Sequence, residues 1–145
     1  MKNKKPIIKT SVCYFLLLIS FGCSSNPSEK IKLVLDNYDQ INKGFDSSMR
    51  QMYKNNPNVS FQQSLDAIRS RCDKVNKIDT SETPPDFSIT LKKLISLDCD
   101  NKNSPADLVT YEGDPKAKAY HNAERELEEV SAKYGYVYKH STSPK

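Results

Sequence analysis

The sequence predicts an all-α protein, a small bundle of about four amphipathic helices closed by one disulfide. Three observations predict it. Apolar residues recur at steps of three and four in four separate segments. Four prolines each stand one residue behind a good N-cap, as Asn26-Pro27, Thr83-Pro84, Ser104-Pro105 and Asp114-Pro115, where the missing amide costs nothing. Only two cysteines, Cys72 and Cys99, fall within those segments.

The first helix is expected from Pro27 to about Lys54, with Ile31, Val34, Tyr38, Ile41, Phe45, Met49 and Met52 as one apolar stripe. Asn26 has Glu29 three residues on, which is capping-box spacing, and Asn55-Asn56-Pro57 stops the helix. Gly44 weakens it by about 1 kcal/mol relative to Ala. The second helix is expected over residues 58–79, opened by a Ser60/Gln63 capping box and carrying Phe61, Leu65, Ile68, Cys72, Val75 and Ile78.

The third segment, 86–99, places Phe87, Leu91, Leu94 and Ile95 at helical spacing, while Ile89, Leu91, Leu97 and Cys99 also fit a strand; the reading adopted is helix. Residues 100–113 are polar and broken, with at most a turn or two of helix around Pro105–Tyr111. The last helix, 114–134, aligns Ala117, Tyr120, Ala123, Leu127, Val130 and Tyr134, with Gly135 as its C-cap and Glu129/Lys133 as an i,i+4 pair. Residues 136–145 carry no pattern and are expected to form a flexible tail. The expected helical domain is therefore 27–135.

Upstream of this domain, Lys2 to Lys9 are basic, Val12 to Phe21 are mostly apolar, and Gly22-Cys23 follow. The run is too short to span a bilayer as a permanent helix and has the layout of a leader peptide. Residues 1–25 resemble the signal peptide of the bacterial lipoprotein class, with Ser20 standing where the class usually has Leu. The resemblance implies removal of 1–22, lipidation of Cys23 by chains such as palmitate, and a cell-envelope location. Ser24 behind the cysteine implies the outer membrane, facing the periplasm. Residues 23–26 then form the lipidated terminus and tether, and three residues between Cys23 and Pro27 span about 14 Å at most.

Processing changes the charge and cysteine arithmetic. The chain has 22 basic and 18 acidic residues, but Lys2, Lys4, Lys5 and Lys9 leave with the leader, so 18 of each remain. A neutral mature chain lacks the basic excess that nucleic-acid binding needs, and no nucleic acid is expected as a partner. Cys13 is lost and Cys23 is lipidated, leaving Cys72 and Cys99 either bridged or as two buried thiols. The even count favours the bridge. If helices two and three were antiparallel over a short turn, however, Cys99 would lie a helix length from Cys72, so the bridge requires an offset.

Chemistry is sparsely supported. His121 with Glu124 and Glu128 reads as a solvated charged face and supplies too few metal ligands; the other histidine, His140, lies in the tail. Asp98 and Asp100 read as a charged helix end. The four glycines are scattered, so no phosphate loop exists. The expectation is therefore no enzyme, no cofactor and no metal. Five of eight tyrosines fall between 111 and 138. Either Tyr120 and Tyr134 serve the core, or Tyr134, Tyr136 and Tyr138 form a partner-contact surface. The function expected is that of an interaction or accessory module at the envelope membrane, the partner being an envelope protein. An inhibitor, immunity or exclusion lipoprotein that blocks an incoming enzyme, phage or conjugation system is the second reading.

Overall fold

A computed structural model of the chain describes residues 26–100 and 115–138. The expected signal peptide, Cys23, the expected caps at Ser104 and Asp114, the expected turn around Pro105–Tyr111 and the residues beyond Tyr138 lie outside the described residues. Four helices follow one another: α1 (Pro27–Asn55), α2 (Phe61–Val75), α3 (Pro85–Cys99) and α4 (Pro115–Lys133). The expected small all-α bundle with one disulfide is what the chain forms, and α3 is helical throughout.

Local signals set most helix ends. The Asn26 side chain accepts the Ser28 amide at 3.2 Å, with Pro27 at the first helical position. At α2 the Ser60 hydroxyl accepts the Gln63 amide while the Gln63 side chain accepts the Ser60 amide, a complete capping box. α4 ends in a Schellman motif: Gly135 takes φ +82°, its amide donates to the Ala132 carbonyl and the Tyr136 amide donates to that of Ser131. Thr83 differs from expectation. Its hydroxyl turns back to the Thr80 carbonyl, and the cap of α3 falls on Pro84 with no side-chain hydrogen bond.

The packing has two levels. At 29 residues α1 is about 43 Å long, and its partners change along its length. α2 runs antiparallel to its C-terminal half, as shown by Tyr53 Oη to Ser64 Oγ at 3.0 Å and Arg71 Nε to Asn42 Oδ1 at 2.7 Å. The connection 76–84 continues down the N-terminal half, where Lys30 pairs with Glu82. α3 then returns alongside, tied to the connection by Thr80 Oγ1 and Ser88 Oγ at 2.7 Å. α4 packs antiparallel on α3 in the most extensive helix contact of the fold, with Lys93 on Glu126 and Lys133 on Asp86. The molecule is thus a base of α1, α3 and α4 from which α1 and α2 project as an arm.

This offset answers the geometric requirement of the bridge. α2 and α3 share only a small contact, made where their C-terminal ends meet, and there Cys72 and Cys99 are bridged with Cα atoms 5.7 Å apart. The core is centred in the base and reaches into α2: Ile31, Leu35 and Tyr38 of α1, Phe87, Leu91, Leu94, Ile95 and Cys99 of α3, Ala123 and Leu127 of α4, and Tyr138 are joined by Ile68, Cys72 and Val75 from the C-terminal half of α2. Each large apolar side chain buried there contributes about 1.5–3 kcal/mol. The buried stripe of α1 runs through Leu35, with Val34 at its edge, because the base grips α1 from the Leu35 side.

Among the described residues α1 meets one helix only in the arm, so Ile41, Phe45, Met49 and Met52 are half-buried, and Phe61, expected in the stripe of α2, is 60% exposed.

The folded unit also extends past Gly135. Tyr138 returns to α1, where its hydroxyl donates to Asp39 at 3.0 Å, so residues 136–138 pack on the domain and are no part of a flexible tail.

Candidate functional site

Two features stand where the arm joins the base. The first is a polar cluster fed by all four helices. Arg71 of α2 pairs with Asp98 of α3, both side chains being 12% exposed, and its remaining valences go to Asn42 and to the face of the Phe45 ring, 5.5 Å away. Burial works against the Arg71 charge and the adjacent carboxylate outweighs it, so the guanidinium is held firmly ionised. Below the pair sits the buried Tyr38 hydroxyl, beside Asn42 and Tyr120; it makes no hydrogen bond among the described residues. Burial, with Asp98 adding to it, pushes its pKa up to about 12. Tyr120 is raised by burial and then by the nearby Tyr38 and Asp98, and Tyr138 by burial and by Asp39.

None of these three hydroxyls is poised near neutral pH. The arrangement holds charge and fixes the junction, and its hydroxyls keep their protons.

Arg71 and Asp98 each directly precede a bridged cysteine, so one pair of helix ends is joined twice, once covalently and once ionically. The sequence carried a signal for this that was readable only with the bridge in hand. Asp98 belongs to the pair, whereas Asp100 is exposed at the end of α3, and the two carboxylates have separate surroundings. His121 and Glu124 also divide. His121 is exposed, with Nδ1 2.9 Å from Glu124 Oε2, while the Glu124 side chain turns inward toward Tyr120. Glu124 is therefore a member of the inner cluster and not of a solvated face. Lys133 bonds Asp86 across helices at 2.6 Å instead of pairing with Glu129, since a carboxylate fixed on α3 and also bonded by Tyr134 offers the better partner.

The second feature is an open groove of about 550 Å3 along the arm, between α1 and α2. Ile41 and Phe45 form its floor. Small or amide side chains, including Gly44, Ser48, Ala67 and Ser70, form its walls, and Arg71 and Lys74 stand on the α2 side. An added Cβ at Gly44 would meet nothing within 4 Å, so the groove is open at that point of α1.

Of the tyrosines expected at a contact surface, Tyr138 is 5% exposed and belongs to the core, which corrects its assignment to a partner surface. Tyr134 is half-buried, with its hydroxyl donating to Asp86 at 2.8 Å and the Lys133 ammonium over its ring. Tyr136 is half-buried beside Lys32 and Asp36, and the neighbouring Val137 is the fully displayed apolar residue of this turn.

Fold and site together define a two-level all-α protein with one disulfide and a groove along its projecting arm. Comparison with protein-family models, with curated proteins and with solved structures finds no match to the chain. Among the described residues no group of three or more His, Cys, Asp or Glu stands together, and no helix is long and apolar enough to cross a membrane.

Proposed function

We propose that this chain is a lipid-anchored lipoprotein of the bacterial cell envelope that works as an interaction or accessory module, without a catalytic role. The observation that carries the reading is the start of α1. Asn26 caps the helix and Pro27 is its first residue, so the rigid domain begins three residues after the cysteine that the lipoprotein resemblance marks for acylation. An anchor of palmitate-class chains there, each methylene contributing about 0.8 kcal/mol, would hold the base against the membrane. α1 would then act as a strut, carrying the end of the arm up to about 43 Å from the tether.

Outer-membrane attachment facing the periplasm, with an envelope protein as partner and no nucleic acid, follows from Ser24 and from the balanced charge of the mature chain. Metabolic labelling with palmitate tests the reading: label on the wild type and none on Cys23→Ser is expected. Label retained by Cys23→Ser overturns it.

A further inference from the structure

We infer that the groove between α1 and α2 is a docking site for an acidic amphipathic helix of a protein partner. This rests on the reading of the chain as an interaction module. In the base, Ile31, Leu35 and Tyr38 of α1 are buried in one cluster with residues of α3 and α4; in the arm, among the described residues, α1 packs against α2 alone. The arm is geometrically a three-helix bundle that lacks its third helix, and Ile41 and Phe45 remain half-buried at the vacant position. The small residues Gly44, Ser48, Ala67 and Ser70 let another helix approach closely. From Asn37 to Ser48 the groove runs about 16 Å, the length of a helix of roughly 11 residues.

Charge selects the occupant. Residues 42–75, which make the arm, hold six basic and three acidic side chains, whereas the rest of 23–145 holds 12 basic and 15 acidic. The neutral mature chain is therefore polarised, with its positive end on the arm. At the groove itself Arg71 is committed to Asp98, but Lys74 is exposed and makes no ion pair among the described residues. A helix with apolar residues at steps of three and four and carboxylates on one flank would cover Ile41 and Phe45 and meet Lys74.

Site-specific photo-crosslinking in the full-length chain, in cells, tests this. The probe is placed at Ser48 or Ser70, both exposed on the groove, or at Ser96 on the exposed side of α3 as a reference. The expected product from Ser48 and Ser70 is one protein segment, mapped by mass spectrometry, with net negative charge and helical apolar spacing. Its yield should fall roughly tenfold with Lys74→Glu and with Gly44→Leu. Both positions are open, and unchanged helical circular dichroism of the purified variants shows that folding is not the cause. Products with a second copy, with lipid or glycan, or with a basic segment overturn the inference, as does a yield indifferent to Lys74→Glu. A protein captured from Ser96 but not from Ser48 or Ser70 removes the groove and leaves the interaction module standing. Capture of no protein from any of the three positions overturns both.

Discussion

Reducing the Cys72–Cys99 bridge should destabilise the domain by a calculable amount and in one place. The bridged residues are 27 apart in sequence, and the entropy of closing a loop of that size in the unfolded chain corresponds to about 3.5 kcal/mol at 25 °C. Comparing oxidised with reduced wild type leaves every side chain in place, unlike a substitution at these two buried positions. With a urea dependence of about 2 kcal/mol per molar for a domain of this size, the midpoint should fall by about 1.8 M. The bridge is one of few links between α2 and α3, whereas α3 and α4 hold each other through an extensive contact of their own. Native-state hydrogen exchange should therefore accelerate in Phe61–Val75 and in the C-terminal half of α1, while Pro85–Cys99 and Pro115–Lys133 stay protected. A midpoint shift below about 0.5 M would refute the loop argument. Acceleration spread evenly over all four helices would refute the division into arm and base.

Other expected outcomes follow from single residues. Gly44→Ala should raise stability by about 1 kcal/mol and Gly135→Ala should lower it by about 1–2 kcal/mol, measured by chemical denaturation. Both sites have room for the methyl group, and only Gly135 has a left-handed backbone. Arg71→Met strands Asp98 in a site of low exposure and should cost about 3 kcal/mol, much of it recovered in Arg71→Met/Asp98→Leu; equal losses in the single and double variants would contradict this. Tyr38, Tyr120 and Tyr138 all have folded pKa values above their unfolded value of about 10. Their contribution to stability is present below pH 10 and is lost as pH rises, for Tyr38 between 10 and about 12. In a spectrophotometric titration the buried tyrosines should ionise together with the loss of helical circular dichroism, after the exposed ones.

Much of the fold was legible along the chain because its signals are local. A capping box, a glycine at C′ and apolar steps of three or four act within one helix, so Ser60/Gln63, Gly135 and the four helices were found by spacing alone. The Cys72–Cys99 pairing was legible by count, and its geometry was not. Lys133 and Glu124 were misread because other helices arrived: Lys133 took Asp86 on α3 and the Glu124 side chain turned inward toward Tyr120, whereas Thr83 chose a different local partner, the Thr80 carbonyl three residues back.

The candidate groove had no local signal at all. Its floor, Ile41 and Phe45, reads as ordinary core in a helical stripe, and only the two-level packing leaves it half covered. The polarity of the arm was likewise invisible, since the balanced total of residues 23–145 hides three positive charges over 42–75 and three negative elsewhere.

By itself the sequence determined the helices, most of their caps and the pair of cysteines. Periodicity and capping signals are properties of neighbouring residues. What only the tertiary structure decided is which part of each stripe is covered. The nine residues 76–84 run down α1 instead of turning at once, and this shifts α3 and α4 onto one half of it. Coverage depends on that offset, which no apolar period encodes, and the same offset brings the two cysteines together and leaves the arm uncovered.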